Sequence, residues 1–270
     1  MNDIAIQRRF VETPAGTLHC AIAGTGRPVL LLHQTPRSWD EYRDVLPLLG
    51  RHVQAIAVDT IGFGDSCKPP LGHDSIEHWA QVSVGLLDAL GIARFAVVGH
   101  HTGAVVATEI AAAFPQRVEA AVLSASALVD AAFRARHARP SKVDNVQRKA
   151  DGSHLTELWR IRQPWYPAGD IDLLERFVVD AVKAGPRAAE GHAVVARYMM
   201  ETRLALIRCP VLVLAPTLDP HAYPQARPLA DAIAGSHYLE IEGGMVPLPD
   251  QMPEAFARHV LEFLRSVPPS

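Results

Sequence analysis

The pentapeptide Gly99-His100-His101-Thr102-Gly103 carries the strongest chemical signal in the chain. It follows an apolar run, Phe95 to Val98, and leads at once into an Ala/Val-rich stretch with helical character. Strand, sharp turn and helix in that order make a nucleophile elbow, whose pattern is GxSxG with a reactive hydroxyl in the middle. The middle residue here is His101, which has no hydroxyl but brings the side chain most often used to move protons. The flanking glycines allow strand and helix to approach closely, so the elbow is expected to form and to project an imidazole from the sheet's carboxyl edge. A neutral imidazole there can act as a general base on water or on a substrate carbon.

The elements needed to hold that turn are legible as alternating strands and helices. Arg8 to Val11 and Leu18 to Ile22 read as a hairpin joined at Pro14-Ala15-Gly16, and Pro28 to Leu32 as a strand buried on both faces and ending at His33. A helix is expected from Ser38, as cap, through Tyr42, Val45, Leu46 and Leu49 to Gly50. Val53 to Val58 is the next strand. Asp74 with Glu77 reads as a capping pair for a helix whose apolar face holds Trp79, Val82, Leu86, Leu87 and Leu90. Strands at Val118 to Ser124, Pro210 to Leu214 and Tyr238 to Ile241 follow, with a terminal helix from Pro253 to Leu264. This order predicts an α/β fold, a mostly parallel central sheet covered by helices on both faces. From 129 to 203 the apolar strands stop and charge, helical spacing and scattered aromatics take over, including Trp159, Arg162, Trp165, Tyr166, His192 and Tyr198. That segment reads as an inserted helical lid on a core made of 1–128 and 204–270.

At 270 residues and 49% hydrophobic the chain suffices for one large domain, and a net charge of −3 with scattered basic residues gives no footprint for nucleic acid. Three distant cysteines, Cys20, Cys67 and Cys209, fit neither a disulfide framework nor a metal site, and point to thiols in a reducing compartment. No run reaches the roughly 18 apolar residues of a membrane span, and Met1 to Ile4 do not begin a secretory leader. The expectation is a cytoplasmic protein with a small-molecule partner, no nucleic acid and no membrane, and with a homodimer left open. No HxH or HExxH spacing calls for a metal, and Ala23-Gly24-Thr25-Gly26 leads into a strand rather than a helix, so neither a metal nor a nucleotide cofactor is expected.

Five ordered motifs together resemble the α/β-hydrolase family over nearly the whole chain: Leu32-His33-Gln34-Thr35-Pro36 against an HGxP turn, Asp59 with Gly62-Phe63-Gly64-Asp65-Ser66 against DxxGxGxS, the elbow, Leu218-Asp219-Pro220 against the acid turn, and Pro253-Glu254-Ala255-Phe256 against the start of the last helix. The resemblance implies oxyanion donors at the amides of Thr35 and Thr102 and a catalytic acid at Asp219. It also locates the departures. His101 replaces the nucleophile, Gln34 replaces the glycine of HGxP, and Gly244 or Met245 stands where the family's base histidine belongs.

An imidazole reaches further than a serine hydroxyl, so the expected arrangement is a His101/Asp219 dyad in which the carboxylate fixes the ring tautomer. Attack by His101 itself, forming an acyl-imidazole, ranks second because that intermediate needs its own activated water. Gln34 could place an amide at the pocket floor or face solvent. Arg37 could clamp a substrate carboxylate or be surface charge, and Trp159, Trp165, Tyr166 and Met245 are candidates for pocket wall. His33 lines the oxyanion turn but is expected to bond loop backbone, and His100 is expected to be structural. The leading function is cofactor-free hydrolysis of an ester, lactone or activated C–C bond. The alternatives are a lyase or isomerase using the same base, and a non-catalytic ligand receptor.

Overall fold

A computed structural model describes residues 4–138 and 143–267; Met1 to Asp3, used in the leader argument, lie outside it. Eight strands form one sheet: β1 (Gln7–Thr13), β2 (Gly16–Ala23), β3 (Pro28–Leu32), β4 (Gln54–Val58), β5 (Phe95–His100), β6 (Val118–Ser124), β7 (Val211–Pro216) and β8 (His237–Ile241). Their order is β1-β2-β4-β3-β5-β6-β7-β8. β1 and β2 pair antiparallel with their neighbours and every other pairing is parallel.

The continuous apolar runs are explained by burial on both faces. In β3, Leu30 and Leu32 join one core cluster while Val29 and Leu31 join the other; β5 splits Phe95 and Val97 from Ala96 and Val98 in the same way. Helices α1 (Leu46–Gly50), α2 (Ile76–Ala89) and α3 (Thr102–Ala113) follow the strands. Between β6 and β7 come α4 (Ala131–Arg136), α5 (Ser153–Arg162), α6 (Ile171–Ala184) and α7 (Arg187–Val195), and the chain closes with α8 (Tyr223–Ala232), α9 (Leu248–Gln251) and α10 (Pro253–Ser266). Tyr42, Val45, Leu46 and Leu49 pack with Phe256 and Val260 on one face; Trp79, Val106 and Ile110 pack on the other. Among the described residues no helix is long and apolar enough to cross a membrane.

Two local expectations are corrected. The helix expected over 38–50 is a 3₁₀ turn, Trp39–Tyr42, followed by the short α1. Pro47 has no N–H to donate into a continuous helix, so the pattern breaks there. The cap of α2 is Ser75, which accepts from the His78 amide, whereas Asp74 accepts the indole N–H of Trp79 at 3.0 Å.

The elbow depends on missing side-chain atoms. A Cβ on Gly103 would lie 1.9 Å from the Leu32 carbonyl oxygen, and one on Gly99 would lie 2.1 Å from that of Gly103. Backbone cannot yield as a flexible side chain can, so Gly103→Ala should destabilise the protein by ~3 kcal/mol or more, at or above the upper end of usual overpacking costs. Gly85, inside α2 with nothing near its Cβ position, gives a control of opposite sign. Its replacement by Ala should stabilise by roughly 0.5–1 kcal/mol. Urea unfolding of both variants checks the pair.

Candidate active site

His101 begins where β5 ends and caps α3, with φ 48 and ψ −115. Positive φ is costly for a side chain other than glycine, of order 1–3 kcal/mol, and it persists where surrounding bonds overdetermine the turn. Those bonds are present: the His101 amide donates to the Ser124 carbonyl at 2.9 Å, and the His101 carbonyl accepts from Ala104 at 2.9 Å. The turn throws the imidazole towards the loop after β7. His101 Nε2 lies 2.6 Å from Asp219 Oδ2. The contact is short but lies off the ring's N–H axis, since neither atom has a well-aligned hydrogen-bond partner. The ring's other nitrogen, Nδ1, has no hydrogen-bond partner among the described residues, in keeping with a side chain that keeps 19% of its exposure.

Asp219 is fully buried, and its second oxygen, Oδ1, accepts the backbone amides of His221 at 2.9 Å and Ala222 at 3.0 Å. Burial alone would raise its pKa. The His101 ring and the two amides override that and hold the carboxyl well below the ordinary aspartate value. The carboxylate is therefore fixed in charge and in place beside the imidazole.

His100 plays a different part. It is fully buried between Ser124 Oγ at 3.0 Å and the Val246 carbonyl at 2.8 Å, its ring perpendicular to that of His101 with centroids 4.8 Å apart. Burial drives its pKa down to about 3, so the ring is neutral, donating from Nε2 to Val246 and accepting from the serine at Nδ1. It thereby ties the elbow to the loop that lacks a histidine. Within that loop, a Cβ on Gly244 would come within 2.9 Å of Pro216 and 3.0 Å of Leu248, while the Met245 amide donates to Gln251 at 2.7 Å.

The turn after β3 is packed rather than open. His33 donates from Nδ1 to the Gln34 carbonyl and accepts the Thr60 amide at Nε2. Gln34 is buried rather than solvent-facing, its amide nitrogen and side chain both donating to Glu41 at 2.8 and 2.6 Å. Arg37 is also no carboxylate clamp. Its guanidinium is fully buried and committed to Asp180 at 2.9 Å, to Asp40 at 3.3 Å and, closely, to Asp250. Asp180 comes from α6 and also accepts from Ser38 at 2.8 Å, so the inserted helices are pinned to this turn by charge. Arg176, a turn earlier on α6, adds bonds to Asp40 and Asp44. The amides of Thr35 and Thr102 donate to no group among the described residues.

Of the aromatic candidates, Trp165 packs edge-on against His221 with centroids 4.8 Å apart, beside the acid turn. Tyr166 is buried within the inserted helices against Phe177, and Trp159 packs on that same cluster. His192, Asp144 and His221, which carried no functional signal in the sequence, also gather here: His192 Nε2 is 2.9 Å from Asp144 Oδ2. Asp144 and His192 are 48 residues apart on different elements, and no local spacing announces the pair. Asp59 and Asp65, with His19, are near enough to one another to hold a cation, but Arg8 already bridges His19 at 3.0 Å and Asp65 at 2.5 Å. Two surface hollows of about 560 and 510 Å³ are lined by other residues, such as Leu128, Glu201 and Arg208 in the first and Arg227, Ser236 and Tyr238 in the second.

A family model described as the alpha/beta hydrolase family matches residues 25–259. The chain belongs to the alpha/beta hydrolase family. Its relatives within that family include a 2-hydroxy-6-oxo-2,4-heptadienoate hydrolase of Pseudomonas putida, 38% identical over 103 residues, which are 37% of this chain and 37% of that protein. A soluble epoxide hydrolase of Corynebacterium is 41% identical over 90 residues, 33% of this chain and 31% of the other. The matched stretch thus spans about a third of each relative. Among solved alpha/beta hydrolase structures, a hydrolase from Pseudomonas aeruginosa superposes with a TM-score of 0.78 at 25% identity, covering 96% of this chain and 98% of that one. An enol-lactonase from Burkholderia xenovorans gives 0.77 at 24% identity, covering 95% and 100%, which is a likeness of fold. Enzymes that hydrolyse small molecules are the common ground of these relatives.

Proposed function

We propose that this alpha/beta hydrolase cleaves a small carbonyl compound, an ester, a lactone or an activated C–C bond, using His101 as general base in place of a nucleophile. The observation that carries the reading is the 2.6 Å contact between His101 Nε2 and Asp219 Oδ2, made by a ring whose Nδ1 is unoccupied. The charge of Asp219 beside Nε2 favours the tautomer protonated there and leaves the Nδ1 lone pair to take a proton from water. The hydroxide so formed adds to the carbonyl carbon, and the amides of Thr35 and Thr102 receive the developing oxyanion. The proton on His101 then returns to the leaving group, and no cofactor is needed. The segment 129–203 serves as the lid, closing on a core of 1–128 and 204–270, with Trp165 as a wall beside the acid turn. Two relatives are named for hydrolysis of oxo- or semialdehyde-bearing compounds, which supports a carbonyl substrate.

The missing elbow hydroxyl also favours a second reading, a lyase or isomerase in which His101 removes a proton from carbon, because that chemistry requires no nucleophile. Turnover of a panel of esters, lactones and 1,3- or 1,5-diketones in ¹⁸O-water separates the two. Hydrolysis by activated water places one ¹⁸O in the acid product. Product without label, accompanied by deuterium exchange at carbon in D₂O, would favour the lyase. Binding with no product from any member would leave a receptor.

A further inference from the structure

A second imidazole stands on a carboxylate among the inserted helices. His192, on α7, has its Nε2 2.9 Å from Asp144 Oδ2, and Asp144 is itself fully buried and held by Arg162, whose Nε donates to Oδ1 at 3.0 Å. Arg162 in turn lies over the Phe177 ring at 4.6 Å, so the carboxylate has a fixed charge partner and little freedom. His192 thus has the orientation device that Asp219 gives His101. Its Nδ1 has no hydrogen-bond partner among the described residues, and the side chain keeps 28% of its exposure.

The packing of its neighbour places this turn of α7 against the oxyanion turn rather than on the outer surface. Gly191, its neighbour, is so close to Thr35 that a Cβ would lie 2.4 Å from Thr35 Cγ2 and 2.7 Å from Oγ1, which puts this turn of α7 on the oxyanion turn. His221, two residues after Asp219, is made a weaker base chiefly by burial; Asp219 opposes this, and His101, Arg162 and His192 add to it. Trp165 covers that same His221 ring.

We propose that His192, oriented by Asp144, is a second catalytic residue that protonates the leaving group while His101 activates water. This inference rests on the hydrolytic reading above and divides its work, relieving His101 of returning the proton. In the first step His101 Nδ1 takes a proton from water, and the O–H pair becomes the new bond from oxygen to the carbonyl carbon. In the second the bond from that carbon to the leaving oxygen breaks, its electron pair departs with oxygen, and the proton on His192 Nδ1 passes to it. His101 then releases its proton to solvent and His192 recovers one, so the sum is one water consumed for an acid and an alcohol formed. While protonated, His192 donates from both nitrogens, Nε2 to Asp144 and Nδ1 to the leaving oxygen.

The proposal is tested by the leaving group. A nitrophenolate departs without a proton and an alkoxide does not, so an acid should matter only to the second. His192→Gln, measured with a p-nitrophenyl ester and an alkyl ester of the same acid, should lose about 10²-fold or more in kcat on the alkyl ester and less than about threefold on the nitrophenyl ester. His192→Asn serves as the second variant should Gln disturb the fold, with the thermal transition recorded for both. An equal loss on the two esters would overturn the assignment in favour of a structural part, and no loss on either would overturn it outright. Wild-type protein that hydrolyses neither ester would instead strike the base reading, and this inference with it.

Discussion

His101→Ala is expected to lower kcat by at least ~10²–10⁴-fold with KM little changed, because the side chain acts on the proton in flight rather than on the bound substrate. His101→Asn is the companion variant, since asparagine accepts positive φ more readily than alanine and preserves the turn while removing the base. His101→Ser restores the family's usual elbow residue and should still not restore turnover. A serine hydroxyl needs a histidine after β8 to take its proton, and the loop there offers Gly244, hemmed in by Pro216 and Leu248, and Met245. For the same reason a serine-directed phosphonate should leave wild-type protein unlabelled at the elbow. Steady-state kinetics on the best substrate of the panel, with thermal melts to exclude misfolding, decide the matter. Unchanged turnover in the alanine and asparagine variants would remove the dyad.

The largest effect on stability is expected from Arg37→Ala. Removing this guanidinium strips the buried carboxylate of Asp180 of its ion pair and leaves Asp250 only Arg176, and breaking such buried pairs costs ~3–5 kcal/mol. The deficit should shrink on moving from pH 7 to pH 5. Burial pushes the Asp250 carboxyl up to about 6 even with Arg37 and Arg176 beside it, so at pH 5 it is largely protonated and no longer a stranded charge. The sign follows from linkage: a carboxyl whose folded pKa lies above the unfolded value near 4 favours the folded state at low pH and loses that contribution as pH rises towards 6. Glu41, pushed by burial up to about 8, acts in the same direction over a wider window. Urea unfolding of wild type and Arg37→Ala at the two pH values measures the difference, and an equal deficit at both would show that Asp250 is not the stranded group.

These residues also show where sequence stops being informative. The elbow, the acid turn and the sheet were legible because each depends on neighbours in the chain: an apolar run, two glycines four residues apart, a strand followed by Leu218-Asp219-Pro220. Arg37 was not legible, because its partner Asp180 lies 143 residues away and arrives only when α6 folds back over the turn. Gln34 was ambiguous for a similar reason. Its side chain is claimed by Glu41, seven residues on, across a 3₁₀ turn that the helical spacing of 38–50 disguised as a longer helix. His192 sits in a helical segment whose composition explains itself by packing, and only the approach of Asp144 gives it a chemical meaning. Local pattern therefore recovered the scaffold and the atoms presented by its sharpest bend, while long-range pairing decided which charged side chains were fittings of the frame.

The fastening of α6 has a consequence for how the inserted helices would lift. An insertion held down by grease alone bares a sticky underside whenever it lifts, and such surfaces recruit one another in a crowded solution. Here the inner edge near Asp180 and Arg176 is ionic, so a lifted state hands those groups to water, which receives them readily. Breathing at that edge carries little hazard of clumping, and dissolved electrolyte rather than detergent is the agent that should ease it.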